Sequence, residues 1–156
     1  MAHNRLHHLT LANEDSEQTI VFDWRRWAEN AHPELRLLHH CPNGGSRNKI
    51  EAGKLKRMGV LAGVADIHLP VPKGIYAALY IEMKYGSGRL EDSQKRFLLA
   101  AAGVGNYCAV CYDAQTAINI IDEYIRLQVG GSMTNPNASI FKDGKIKPIP
   151  EPRDKR

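Results

Sequence analysis

Glu82 and Lys84 stand two residues apart at the end of the apolar run "AALYIEMK", after which the chain breaks into "YGSG". Alternation along a strand puts Leu79, Ile81 and Met83 on one face and Tyr80, Glu82 and Lys84 on the other. An unpartnered charge in a buried strand is costly, so the pair is either on a solvated face or part of a site. A carboxylate beside an ammonium suits phosphodiester hydrolysis. The acid holds a hard divalent cation, while the lysine orients water or offsets negative charge on a phosphoryl group.

Three further positions fit that chemistry. Asp66 begins a strand in "GVADIHLP", directly after a glycine-bounded loop. Glu17, stepped at 100° per residue, falls within about 60° of Ile20, Val21, Trp24 and Ala28. It is either bent outward at the helix end or aimed between helix and sheet. Gln94 precedes Leu98 and Ala101 at i+4 and i+7 and so heads a buried stripe. Two strands bring Asp66 and Glu82 side by side, a helix delivers Glu17, and Lys84 lies one pleat away. Mg²⁺ or Mn²⁺, which favour carboxylates, carbonyls and water, would let these acids share a partly buried place.

The elements that must position these groups are legible from periodicity and punctuation. A polar, His-rich lead covers residues 1–14. The first helix is expected to start at Asp15, with Gln18 completing a capping box, and to bury Ile20, Val21, Trp24, Trp27 and Ala28 before Pro33 closes it. A short strand in "ELRLLHHCPNGG" and a basic helix in "SRNKIEAGKLKRMG", stopped by Gly59, come next. Strands in "GVADIHLPVPKG" and "IYAALYIEMK", a helix in "RLEDSQKRFLLAAAGVG", a strand in "NYCAVCYD" and a helix capped by Asp113 complete the order. That order points to an α/β sandwich, a mixed sheet covered on both faces by helices. The sandwich is expected to span 15–128. Residues 129–156, rich in proline and lysine, read as an extended basic tail.

Composition narrows the function classes. At 156 residues the chain fits one domain, and a net charge of +4 with a pI near 9.0 suits a polyanionic partner. Arg47, Lys49, Lys54, Lys56 and Arg57 cluster against the single acid Glu51, a surface for backbone phosphates or a solvated helix face. No apolar run approaches the roughly 20 residues of a bilayer span, and the N-terminus lacks a signal-peptide core, so a cytoplasmic location with no membrane contact is expected. Three cysteines give no disulfide framework. Cys108 and Cys111 sit three apart on a strand, hence on opposite faces, which argues against a shared zinc. Cys41 beside His39 and His40 is an equally weak metal signal.

The pattern Asp66, spacer, Glu82-Met83-Lys84, together with "NGGSRNKIEAGKLKRMGVLAGVADIHLPVP", "YIEMKYGSGRLEDSQKRFL" and "GNYCAVCYDAQTAINIIDEYI", resembles the VRR-NUC branch of the PD-(D/E)XK nucleases. The likeness runs from about Glu17 to Ile125, with Ala65 where the superfamily name has proline. It implies a restriction-endonuclease-like fold and a metal-dependent DNA endonuclease. Glu17, Asp66 and Glu82 would ligate Mg²⁺ or Mn²⁺, with the Met83 carbonyl completing the coordination. Lys84 would be the catalytic lysine and Gln94 its supporting glutamine, while Asn43, Gly44, Gly45 and Arg47 would approach nucleic acid. The resemblance also implies a stand-alone homodimer cutting branched DNA such as a four-way junction. The rivals are a non-catalytic nucleic-acid-binding protein on the same fold, and a zinc-dependent structural module using Cys108, Cys111 and the histidines.

Overall fold

The computed structural model describes residues 12–43 and 48–153. Among them are helices α1 (Glu14–Ala28), α2 (Lys49–Arg57), α3 (Asp92–Gly103) and α4 (Ala114–Ile125), with a short 3-10 turn at Pro33–Leu37. Strands β1 (His39–His40), β2 (Ile67–Leu69), β3 (Leu79–Met83), β4 (Tyr107–Cys111), β5 (Ser139–Lys142) and β6 (Lys145–Pro148) form one mixed sheet in that spatial order. β3, β4 and β5 run parallel, with α3 and α4 as their crossovers; the outer pairs are antiparallel.

Each face of the sheet has its own core. Val21 of α1 and Ala117, Ile121 and Tyr124 of α4 pack with Ile81, Met83 and Cys111 on one face. Leu98 and Ala101 of α3 cover Cys108, Val110 and Tyr80 on the other. Cys108 and Cys111 thus lie on opposite faces, and burial pushes both thiols up, Cys108 to about 12. They share no metal.

Four expectations from the sequence need correction. The N-cap of α1 lies two residues earlier than the expected Asp15. Asn13 is its N-cap, accepting from Ser16 N while Ser16 Oγ accepts from Asn13 N, both at 2.8 Å. Its buried stripe is correspondingly narrower: Val21 is fully buried, but Ile20 and Trp27 are 50% and 80% exposed. The segment after Pro33 is mostly 3-10 turn, with only His39 and His40 in a strand.

The largest correction concerns residues 129–156. Ser139–Lys142 adds a parallel strand beside β4, and Asp143-Gly144, both at positive φ, turns it into β6. Met133, Phe141 and Ile149 are buried. Lys145, Lys147 and Pro148, which read as tail residues, belong to β6; β6 is exposed throughout and is an edge, where both residue types are tolerated.

Candidate active site

The C-terminal end of β3 opens into a cavity of about 770 Å³ walled by the first turns of α1 and α3, by α2 and by the loop before β2. The register Ile67↔Ile81 carries Asp66 opposite Glu82, as alternation requires. Asp66 Oδ2 accepts from Met83 N at 2.8 Å, and its backbone carbonyl accepts from Cys41 N and His40 Nδ1, also at 2.8 Å each. Gly63 fixes the approach of this loop: its φ is +85°, and a Cβ there would lie 2.2 Å from Ser93 O in the first turn of α3.

Glu82 is 2% exposed. Its Oε1 accepts from Gln94 Nε2 at 2.6 Å and faces Lys84 Nζ at 3.1 Å. Gln94 is held in turn because its Oε1 accepts from Glu91 N at 2.9 Å. Glu82 Oε2 is buried with no hydrogen-bond partner among the described residues, an arrangement that a buried polar atom rarely keeps without a ligand.

Electrostatics follow from this crowding. Burial, then the Asp66 charge, pushes the Glu82 carboxyl up to about 8. Burial also raises Asp66 against the opposing pull of the Met83 amide and Lys84. Burial alone would lower Lys84, but Glu82, then Glu14 and Asp66, hold the ammonium above its ordinary value. Two carboxyls that resist ionising together are the donor set that a divalent cation satisfies. The orphaned Oε2 and the Asp66 carboxyl on the neighbouring strand are hard oxygen donors of the kind such an ion takes.

Neither a scan against protein-family models nor a search of curated proteins returns a match. A solved structure described as a "VRR_NUC domain protein" is 31% identical, superposes with a TM-score of 0.67, and aligns over 80% of this chain and 98% of its own. The chain belongs to the VRR-NUC family. Its mixed sheet flanked by helices is the VRR-NUC nuclease fold, and membership carries a nuclease-type function.

Against the VRR-NUC expectations, the structure brings Asp66, Glu82, Met83, Lys84 and Gln94 to one cavity. Glu17 goes elsewhere. It lies on the stripe of Val21, Trp24 and Ala28 as its spacing requires, yet its Oε2 accepts from Ala114 N at 2.6 Å and so satisfies the first amide of α4. Two other acids of the helix, Glu14 and Asp15, line the cavity with Gln18, and Glu14 Oε1 lies 3.7 Å from Lys84 Nζ. Replacing Glu17 by alanine is therefore expected to cost about 0.5–2 kcal/mol of stability in urea denaturation, with Mn²⁺ binding unchanged. Glu14→Ala is expected to weaken Mn²⁺ binding and leave stability nearly unchanged. A calorimetric titration of both variants checks the pair.

On the basic side, Lys49, Lys54, Lys56 and Arg57 lie on α2, which has no buried residue. Lys56 and Asn43 line the cavity, with Asn43 Nδ2 donating to Leu61 O at 2.9 Å. Gly44, Gly45 and Arg47 lie outside the described residues. Among the described residues no helix is long and apolar enough to cross a membrane.

Proposed function

We propose that the chain is a Mg²⁺- or Mn²⁺-dependent DNA endonuclease that selects branched substrates such as four-way junctions and acts as a homodimer. The observation that carries this reading is the buried, partnerless Glu82 Oε2 beside Asp66 and Lys84. Asp66 and Glu82 would hold the ion, with the Met83 carbonyl as a neutral donor and Glu14 taking the role that the resemblance gives Glu17. When bound, such an ion supplies Lewis-acid chemistry, polarising phosphoryl oxygens and making water more acidic.

The chain's own groups do the rest. Lys84, fixed between Glu82 and Glu14, places a positive charge where the scissile phosphate gains negative charge, and its N–H groups orient the incoming water. Gln94 holds Glu82 Oε1, which leaves Oε2 as the oxygen that would be offered to an ion. The basic exposed face of α2 beside the cavity supports binding through backbone phosphates, which positions duplex arms without reading bases. Branch selectivity and the homodimer rest on the family resemblance.

The reading is tested by nicking of supercoiled plasmid and by a panel of synthetic branched DNAs. Cleavage that requires Mg²⁺ or Mn²⁺ and favours junctions supports it; binding without cleavage in either ion would favour the non-catalytic alternative. The phosphate-binding role of α2 has a separate signature. Changing Lys54, Lys56 and Arg57 together to alanine is expected to reduce the slope of log K against log[salt] by about 0.9 for each phosphate that is no longer neutralised, measured by fluorescence anisotropy on a junction.

A further inference from the structure

Antiparallel pairing of β1 with β2 sets His39 opposite His68, and Cys41 follows His39 on the same side of the strand. One ligand atom from each of His39, Cys41 and His68 lies within 4.8 Å of the others. We infer that these three side chains hold a zinc-class cation, at a second metal site chemically distinct from the carboxylate site.

The donor set decides the class. Two imidazoles and a thiolate are borderline and soft ligands, suited to Zn²⁺ or Co²⁺ and ill-suited to Mg²⁺. Tetrahedral coordination needs donor separations of about 3.3–3.8 Å, so small side-chain rotations from the present spacing close the site. Orientation is partly fixed already. His39 Nδ1 lies 2.8 Å from Leu37 O, and a carbonyl only accepts, so Nδ1 carries the proton and Nε2 is free to ligate. The His68 ring is stacked on Tyr80 at 4.3 Å with 2° between planes, and it meets His39 edge-on at 5.0 Å. Binding breaks the Cys41 S–H bond and releases that proton to solvent. Three protein ligands leave a fourth position for water.

A two-residue edge strand has little to hold it in place. Yet this strand and Cys41 grip the Asp66 backbone carbonyl through Cys41 N and His40 Nδ1. A cation across His39, Cys41 and His68 would tie the sheet edge together at the base of a catalytic aspartate, a structural role.

The test uses untagged full-length protein, stripped of metal, reduced, and titrated with Co²⁺ alone. The thiolate-to-cobalt absorption band reports a sulfur ligand only, so ions at Asp66 and Glu82 are silent. One Co²⁺ per chain with that band, displaced by Zn²⁺ but not Mg²⁺, is expected. Cys41→Ser should abolish the band, His39→Ala should weaken Co²⁺ binding by about tenfold or more, and Glu82→Gln should leave the band intact. Absence of the band in the wild type, or its survival in Cys41→Ser, would overturn the site. His39 is exposed, so its variant tests the ligand role without disturbing the core.

Discussion

Lys84→Ala is expected to lower the rate of DNA cleavage by about 10²–10³-fold while junction binding in Ca²⁺ stays within a few-fold of wild type. The reason is where the ammonium sits. It is 8% exposed, 3.1 Å from Glu82 Oε1 and 3.7 Å from Glu14 Oε1, and it directly follows β3, where its backbone N donates to Cys111 O at 2.9 Å. Such a charge is pre-organised, so little reorganisation is needed as negative charge grows on the phosphate. A lysine placed only to neutralise Glu82 would give a different outcome, with stability falling and cleavage per folded molecule preserved. Single-turnover kinetics together with a urea denaturation curve separate the two.

Glu82→Gln is expected to abolish the rise in thermal midpoint caused by Mg²⁺ or Mn²⁺ and to lower cleavage by about 10²-fold or more. The amide keeps the shape of the side chain and a partner for Gln94 but removes the charge that would bind an ion. The same variant has a signature without metal. Burial first, and then Asp66, raise the native Glu82 pKa from the ordinary 4.5 to about 8. A carboxyl raised in this way binds its proton more tightly folded than unfolded, so its contribution to stability is fully present below about pH 4.5 and is lost as pH rises toward about 8. Metal-free wild type should therefore lose stability across that window, and Glu82→Gln should lose less. Thermal melts of both proteins in a chelating buffer at several pH values measure the difference. Parallel curves would mean that Glu82 is no more costly to ionise than an ordinary surface acid.

Much of the site was legible because it lies on regular elements. Alternation along "LYIEM" fixed which face carries Glu82, and the i+4 and i+7 spacing from Gln94 placed its amide at the buried head of α3. Glu17, the helix acid expected at the site, does not line the cavity, for a local reason. Glu17 does occupy the inward stripe, but a stripe gives direction around the axis and not the partner at its end, which proved to be the α4 amide. Glu14 reaches the site because it stands about one turn before Glu17, at the start of a helix that Asn13 caps.

Residues 139–148 were misread from composition. Prolines and lysines outweighed a short-range signal that was present, the Asp143-Gly144 pair between "SIFK" and "KIKP", which is a two-residue hairpin turn. The pairing of His39 with His68 had no comparable signal. It joins two short strands across a long connection, and only the sheet register brings the rings together.

One divalent ion is expected to be shared by Asp66 and Glu82 beside Lys84. A crystal of the protein grown with Mn²⁺ and searched with the manganese anomalous signal tests it most directly. The expected result is a peak about 2.1 Å from a carboxylate oxygen of each residue, with Glu82 Oε2 among them. A fully occupied Mn²⁺ elsewhere, or no peak between these two carboxylates at saturating Mn²⁺, would contradict it.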